Sequence, residues 1–307
     1  MSKPRRVSRN VDGVLLLNKP LGLSSQQVVS RARHLFQAAK AGHTGTLDPA
    51  ADGLLPVCFG EATKFSHLLL DADKVYVATI RLGVTTTTGD AEGEIIASNP
   101  PVTDRAVIEQ ALENFRGNIM QMPPMHSALK HKGVPLYEYA RKGIEIERQP
   151  RHITIYEIQV IDLKEHFLII RVSCSKGTYI RVLAEDIGVA LGCGASLCAL
   201  TRIQSGALSL THVAACTLDA LQAMTAHERA QRLLPVDTLL NGLPALHVGP
   251  EEAERLLLGQ KLGLRQANIA GFARIYGPNQ RFLGLVEVGE GGRTVPQRML
   301  AQAPEKN

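Results

Sequence analysis

The segments HITIYEIQVIDL (152–163), HFLIIRVSCS (166–175) and TYIRVLAEDIGVALG (178–192) stand in succession, and their reading decides the fold class. The first two alternate apolar and polar residues, the period of a strand with one buried face, and they are close enough to pair. The third carries its apolar residues at helical spacing and stops at a glycine, Gly192. Two strands followed by one helix do not make a strict strand–helix–strand unit, so the sheet is expected to be mixed.

The same reading extends outward. VDGVLLLNKP (11–20) is a short buried strand ended by Asn18, Lys19 and Pro20, and SSQQVVSRARHLFQ (24–37) is a helix behind a serine N-cap. KVYVATIRLG (74–83) alternates as a half-buried strand, and TTTTGDAEGEI (85–95) continues it through turns. TDRAVIEQALENF (103–115) is an amphipathic helix capped by Thr103 or Asp104. An α+β (mixed α/β) domain with a large mixed sheet is expected over 1–240, its last part (210–240) a helical connection. From about 245 the pieces shorten. A small helix from Pro250 to Leu258 precedes FARIYG (272–277) and RFLGLVEVG (281–289), which alternate around Gly277-Pro278-Asn279. A β-rich domain over 245–307 is expected.

Length and composition leave room for a real core: 307 residues, 45% hydrophobic and 21% charged. The five cysteines, Cys58, Cys174, Cys193, Cys198 and Cys216, form no C-x-x-C pair and fit no zinc template, so reduced thiols in a cytoplasmic protein are expected and no metal. The apolar run after the basic start (Val14 to Leu17) is too short for a signal peptide, and no stretch reaches the roughly 18 residues of a membrane span. The net charge is +5. Lys3, Arg5, Arg6 and Arg9 open the chain without an acid, and over 126–152 six basic residues face Glu138, Glu145 and Glu147. Such clusters can neutralise phosphates, although a solvated surface reads the same way. There is no tryptophan and aromatics are 4%, which argues against a broad base-stacking platform.

Local sequence alone does not select a catalytic residue. In GHTGTLDP (42–49), Asp48-Pro49 has the form of a helix start, while the glycines make a loop that could present a carboxylate. No Gly-Lys-Ser/Thr follows, so it is not a phosphate loop. Asp52 reads as a turn before Gly53; paired with Asp48 it would match the two carboxylates of a glycosidase only in number. Tyr76 reads as a sheet aromatic. Tyr179 and Arg181 stand at a strand-to-helix junction, where Arg181 could reach a carboxylate and keep it ionised and oriented.

Taken together, six stretches resemble the TruB family of tRNA pseudouridine synthases, in the family's order: GVLLLNKPLGLSS (13–25), GHTGTLDPAADGLLPVCFGEATK (42–64), KVYVATIRLG with TTTTGDAEG (74–93), QMPPMHSALKHKGVPLYEYARKG (121–143), SKGTYIR (175–181) and LTRIQSG (200–206). The tail 271–300 resembles the small PUA-type RNA-binding domain that ends bacterial members. The resemblance implies isomerisation of uridine to pseudouridine at position 55 in the tRNA T-arm, with no cofactor, no metal and no obligate protein partner, by a monomer. It implies that Asp48 is the essential aspartate, that Tyr76 stacks on the target base and that Arg181 pairs with Asp48. It implies that His43 takes part in flipping the nucleotide, that Tyr179 and Leu200 belong to the substrate pocket, and that Lys19 and Pro20 support the site. Segment 124–152 matches an insertion that closes over RNA. One departure is visible: Thr201 stands where the family commonly has the first of two basic residues, leaving only Arg202, which puts one possible phosphate contact in question but not the chemistry. Whether Asp48 attacks C1′, attacks C6 or removes a ribose proton stays open. So do a pure RNA binder, a guide-dependent enzyme and a base-releasing glycosylase.

Overall fold

A computed structural model describes residues 8–264 and 269–301; Lys3, Arg5 and Arg6 of the basic start lie outside them. The main body is a ten-stranded sheet. Across it run Cys216–Thr217, Gly13–Lys19, Ala51–Phe59, Ala195–Ser205, Lys74–Leu82, Phe167–Cys174, Arg151–Lys164 and Gly117–Gln121, with Ala41–His43 and Leu208–Ser209 attached beside this path. The first two strands pair parallel, as do 51–59 and 195–205, and the other pairs are antiparallel, so the sheet is mixed.

Alternation in 167–174 has a direct outcome: Leu168, Ile170, Val172 and Cys174 are fully buried. They pack beneath the helix Ile180–Ala190, through Leu183, Ala184 and Ile187, and beneath the helix Arg105–Glu113, through Ile108 and Leu112. Burying each large aliphatic chain contributes about 1.5–3 kcal/mol. Asp104 caps the second helix by accepting from the Ala106 and Val107 amides. At the other end of the sheet, the helix Ser25–Phe36 starts with a capping box between Ser24 and Gln27. It covers Leu15, Leu17, Leu55 and Val57 with Val28, Val29 and Ala32. The apolar run at 14–17 does not alternate because both its faces are covered; Val14 and Leu16 enter a separate cluster with Leu239, Leu240 and Leu285.

Segment 210–240 is helical, as read from the sequence, and it also packs on the main sheet. It holds the short helices Leu218–Ala223 and Ala226–Gln231 and the 3₁₀ turn Val236–Leu240, and it completes the core. Cys216–Thr217 extends the sheet beside 13–19, Leu234 exchanges two backbone hydrogen bonds with Val14, and Leu218 and Leu221 pack on Leu15 and Leu17. The apolar face of the 13–19 strand would otherwise be left in water.

A five-stranded sheet makes up the C-terminal β-rich domain, in the order Ala245–His247, Gly271–Tyr276, Phe282–Val288, Arg293–Met299 and Leu262–Gly263, with the helix Pro250–Leu257 packed on it. Specific bonds fix it to the main body. The Tyr276 hydroxyl donates to Asp237 at 2.6 Å, Lys64 Nζ to the Met299 carbonyl at 3.1 Å and the Ala301 amide to Glu61 at 2.6 Å. Phe65 and Phe282 meet ring to ring at 5.7 Å. Among the described residues no helix is long and apolar enough to cross a membrane.

Candidate active site

Strand order assembles the site. Because 195–205 runs between 51–59 and 74–82, Leu200 lies opposite both Ala51 and Ala78, and Arg202 opposite both Gly53 and Tyr76. A cavity of about 250 Å³ opens here, lined among others by Asp48, Tyr76, Tyr179, Arg181, Leu200 and Arg202. That is below the roughly 300–1,000 Å³ of drug-sized sites and suits one small ring. His43, Lys19 and Pro20 are not part of the lining. A larger cleft of about 510 Å³, lined by Ser8, Ser30, Arg33, His34, Gln37, Ala38 and Ala39, brings together none of these groups.

No helix starts at Asp48-Pro49. The chain turns, with the Ala51 amide bonded to the Asp48 carbonyl at 3.1 Å, and enters the strand Ala51–Phe59 at once. The apolar run after Asp52 gains more as a central strand than Asp48 gains as a cap. Asp52 is likewise in the strand, not in a turn. The loop that carries Asp48 is held on three sides. Ser25 Oγ donates to the Leu47 carbonyl at 2.9 Å and accepts from the Leu47 amide at 2.8 Å. The Gly22 amide donates to the Pro49 carbonyl at 2.8 Å. Arg202 donates to the Gly45 and Thr46 carbonyls at 3.0 and 3.4 Å. So the backbone is fixed while the Asp48 side chain stays 66% exposed, open to an incoming ligand.

Lys19 and Pro20 act on this loop from behind. Lys19 is fully buried, and its Nζ donates to the Pro20 and Leu23 carbonyls at 2.9 and 2.6 Å. That closes the turn whose Gly22 holds Pro49. Burial lowers the Lys19 pKa, with Asp52 and Asp48 acting in the opposite direction.

Arg181 does reach Asp48, at 3.7 Å, but its shorter bond is to a residue that the sequence did not single out: Asp90, at 2.9 Å. The arginine side chain is 10% exposed and that of Asp90 16%. The remaining donors go to the carbonyls of Thr88 at 3.3 Å and His126 at 2.8 Å. Gln121, 2% exposed, orients the start of the arginine's helix: its amide donates to the Tyr179 carbonyl at 3.0 Å and accepts from the Tyr179 amide at 2.8 Å. Asp90 sits in a glycine turn and Gln121 ends an edge strand; neither position carries a sequence signal of its own.

Arg202 is 1% exposed, on the strand that runs between 51–59 and 74–82. Gly53, directly opposite, has φ of +102°, and a Cβ there would overlap the Arg202 carbonyl oxygen, so only glycine fits. Tyr76 is half-buried, and burial raises its phenol pKa, partly opposed by Arg202. Burial likewise raises that of Tyr179. His43 stands behind the loop and accepts from the Gly45 amide through Nδ1 at 3.3 Å. Burial, then the Arg202 charge, lowers its pKa, which suits a neutral acceptor. Lys74, at the cavity edge, is pushed down by burial to about 8 and donates to the Leu69, Leu70 and Ala72 carbonyls. Among the described residues no group of three or more His, Cys, Asp or Glu is arranged to hold a metal.

The model of the TruB family pseudouridylate synthase N-terminal domain matches residues 33–180. That of the tRNA pseudouridylate synthase B C-terminal domain matches 181–241, and that of the pseudouridine synthase II TruB C-terminal domain matches 244–300. The chain is 52% identical over 299 residues to the tRNA pseudouridine synthase B of Dechloromonas aromatica (strain RCB), covering 97% of this chain and 99% of the relative. It is 50% identical over 303 residues to that of Methylobacillus flagellatus, covering 98% and 99%. In fold it is similar to a protein of a solved Cbf5-Nop10-Gar1 complex, with a TM-score of 0.73 at 24% identity, covering 98% of this chain and 90% of that one. With three consecutive domain models matched and half of all residues shared along nearly the whole length, the chain belongs to the TruB family of pseudouridylate synthases.

Proposed function

We propose that this protein isomerises uridine to pseudouridine in tRNA, at position 55 of the T-arm, with Asp48 as the essential carboxylate. The observation that carries the reading is one exposed carboxylate on a rigid loop, facing a cavity the size of a single ring that Tyr76, Tyr179, Arg181 and Leu200 complete. The named relatives are tRNA pseudouridine synthases, which supplies the substrate class.

In the net reaction the bond from C1′ to N1 breaks, C5 of the same base bonds to C1′, and the proton lost from C5 is replaced by one on N1. Nothing enters or leaves, so the chemistry calls for no cofactor. The target base must leave its stack, at a cost of a few kcal/mol. Stacking on Tyr76 returns about 1–3 kcal/mol of that. Tyr179 and Leu200 bound the ring, Arg181 orients Asp48, and His43 holds the loop from which the flipped nucleotide is met. RNA seated on the exposed Asp48 would itself exclude water from the cavity. The basic segment 124–152 and a PUA-type C-terminal domain hold the RNA by charge and shape. All five cysteines are free thiols, which suits a cytoplasmic enzyme.

The test is to incubate the purified chain with an unmodified T-arm stem-loop and with tRNA, then map pseudouridine by carbodiimide treatment and primer extension. A single stop at the T-arm position is expected, and action on the bare stem-loop excludes the need for a guide RNA. Asp48→Asn should abolish turnover and largely spare tRNA binding. Wild-type-like tritium release from that variant would refute the assignment, and free uracil in place of product would mean a glycosylase.

A further inference from the structure

Arg202 is the largest charged side chain sealed inside this fold, at 1% exposure. A buried guanidinium is costly unless paired. Yet the carboxylates of the site, Asp48 and Asp90, both pair with Arg181, and among the described residues none pairs with Arg202. Its acceptors are neutral carbonyls: Leu54 at 2.8 Å, Thr46 at 3.4 Å and Gly45 at 3.0 Å. Two of these precede Asp48 in its own loop. The fork therefore ties the Asp48 loop to the central strand.

The charge also reaches the cavity. Arg202 lines it and lies across the strand pair from Tyr76, with whose phenol it interacts. His43 and Lys74 feel the same charge, each disfavoured as a second cation. When the C1′–N1 bond breaks, its electron pair moves onto the base. A fixed positive charge in a low-dielectric floor stabilises that state without needing to reorganise.

We propose that Arg202 is a positioning residue of the isomerisation site, which fixes the Asp48 loop by its carbonyls and holds an unneutralised positive charge beside Tyr76 for the detaching base. This rests on the isomerase reading above. A residue that only pins strand register would need neither the loop carbonyls nor the charge.

The experiment compares full-length wild type, Arg202→Met and Arg202→Lys on a tritiated T-arm stem-loop. The measurements are single-turnover rate, dissociation constant by filter binding, thermal melting, and NMR titration of His43. Arg202→Met is expected to turn over about 100-fold more slowly, the scale of a small misplacement of a reacting group, with RNA affinity unchanged. Arg202→Lys, which restores the charge but not the fork, should recover about tenfold of that, one decade for each 1.36 kcal/mol of barrier. His43 should titrate at higher pH in the Met variant than in the Lys variant. Three results overturn the proposal: a wild-type rate in Arg202→Met, a loss of affinity as large as the loss of rate, or a Lys variant no faster than the Met variant. If Arg202→Met fails to melt cooperatively, Arg202→Lys decides by itself: a slower rate at unchanged affinity supports the proposal and a wild-type rate refutes it. A wild-type chain inactive on the stem-loop and on tRNA would overturn the isomerase reading itself, which the variants cannot do.

Discussion

Replacing Asp90 by asparagine tests how the site orients its arginine. Asp90 Oδ2 accepts from Arg181 Nη1 at 2.9 Å, and Oδ1 accepts from Thr88 Oγ1 at 2.5 Å and from the Glu92 amide at 3.1 Å. In Asp90→Asn the amide oxygen keeps Thr88 and Glu92, so its NH₂ group must face Arg181, donor against donor. Among the described residues Arg181 then keeps one ion pair, to Asp48 at 3.7 Å, and its fork turns away from the Thr88 carbonyl. A hydrogen bond to a charged group contributes about 1.5–3 kcal/mol, and both side chains are shielded enough for that range to apply. If the loss appears in the transition state, the rate falls roughly 10- to 150-fold. The assay is single-turnover tritium release from a T-arm stem-loop, with affinity measured separately. Asp90 is not among the residues that line the cavity, so affinity should hold. A wild-type rate in a folded Asp90→Asn, or a loss of affinity matching the loss of rate, would refute the view that Asp90 acts through Arg181.

Tyr76→Leu should lower turnover far more than affinity for tRNA; if affinity collapses instead, Tyr76 is mainly a binding residue. Gly53→Ala meets both the Arg202 backbone and an unfavourable φ of +102°, and overpacking plus strain cost about 2–5 kcal/mol. Thermal melting should show a large drop, and an unchanged midpoint would mean the strands can part there freely. His43 is held below its ordinary pKa by burial and by Arg202. Below pH ~6.5 the unfolded chain binds a proton that the folded chain refuses, so stability is present above that pH and lost as pH falls toward the folded value. Wild type should therefore lose more melting temperature than His43→Asn between pH 7.5 and 5.5; equal losses would show that His43 is not the group responsible.

Much of the main-body strand and helix pattern was legible because alternation reports a face directly: 167–174 buries the residues its period selects, and Ser24 caps the helix its spacing announced. Local rules failed at Asp48-Pro49, where sheet pairing of the next nine residues outweighs one cap. At 210–240 they gave the helical character but not the packing on the 13–19 strand, a partner some 200 positions away. Candidate site residues were legible only through the resemblance, since no local spacing distinguishes Asp48 or Tyr76 from a cap and a sheet aromatic.

By itself the sequence determined the class of fold, the elements that carry the candidate residues, and the family. Only the tertiary structure decided which charges face each other. Asp90 became the nearer partner of Arg181, and Arg202 came to lie buried beside the Asp48 loop, its strand 195–205 set between 51–59 and 74–82. Pairing order and register depend on contacts between distant segments, and these have no period along the chain from which to read them.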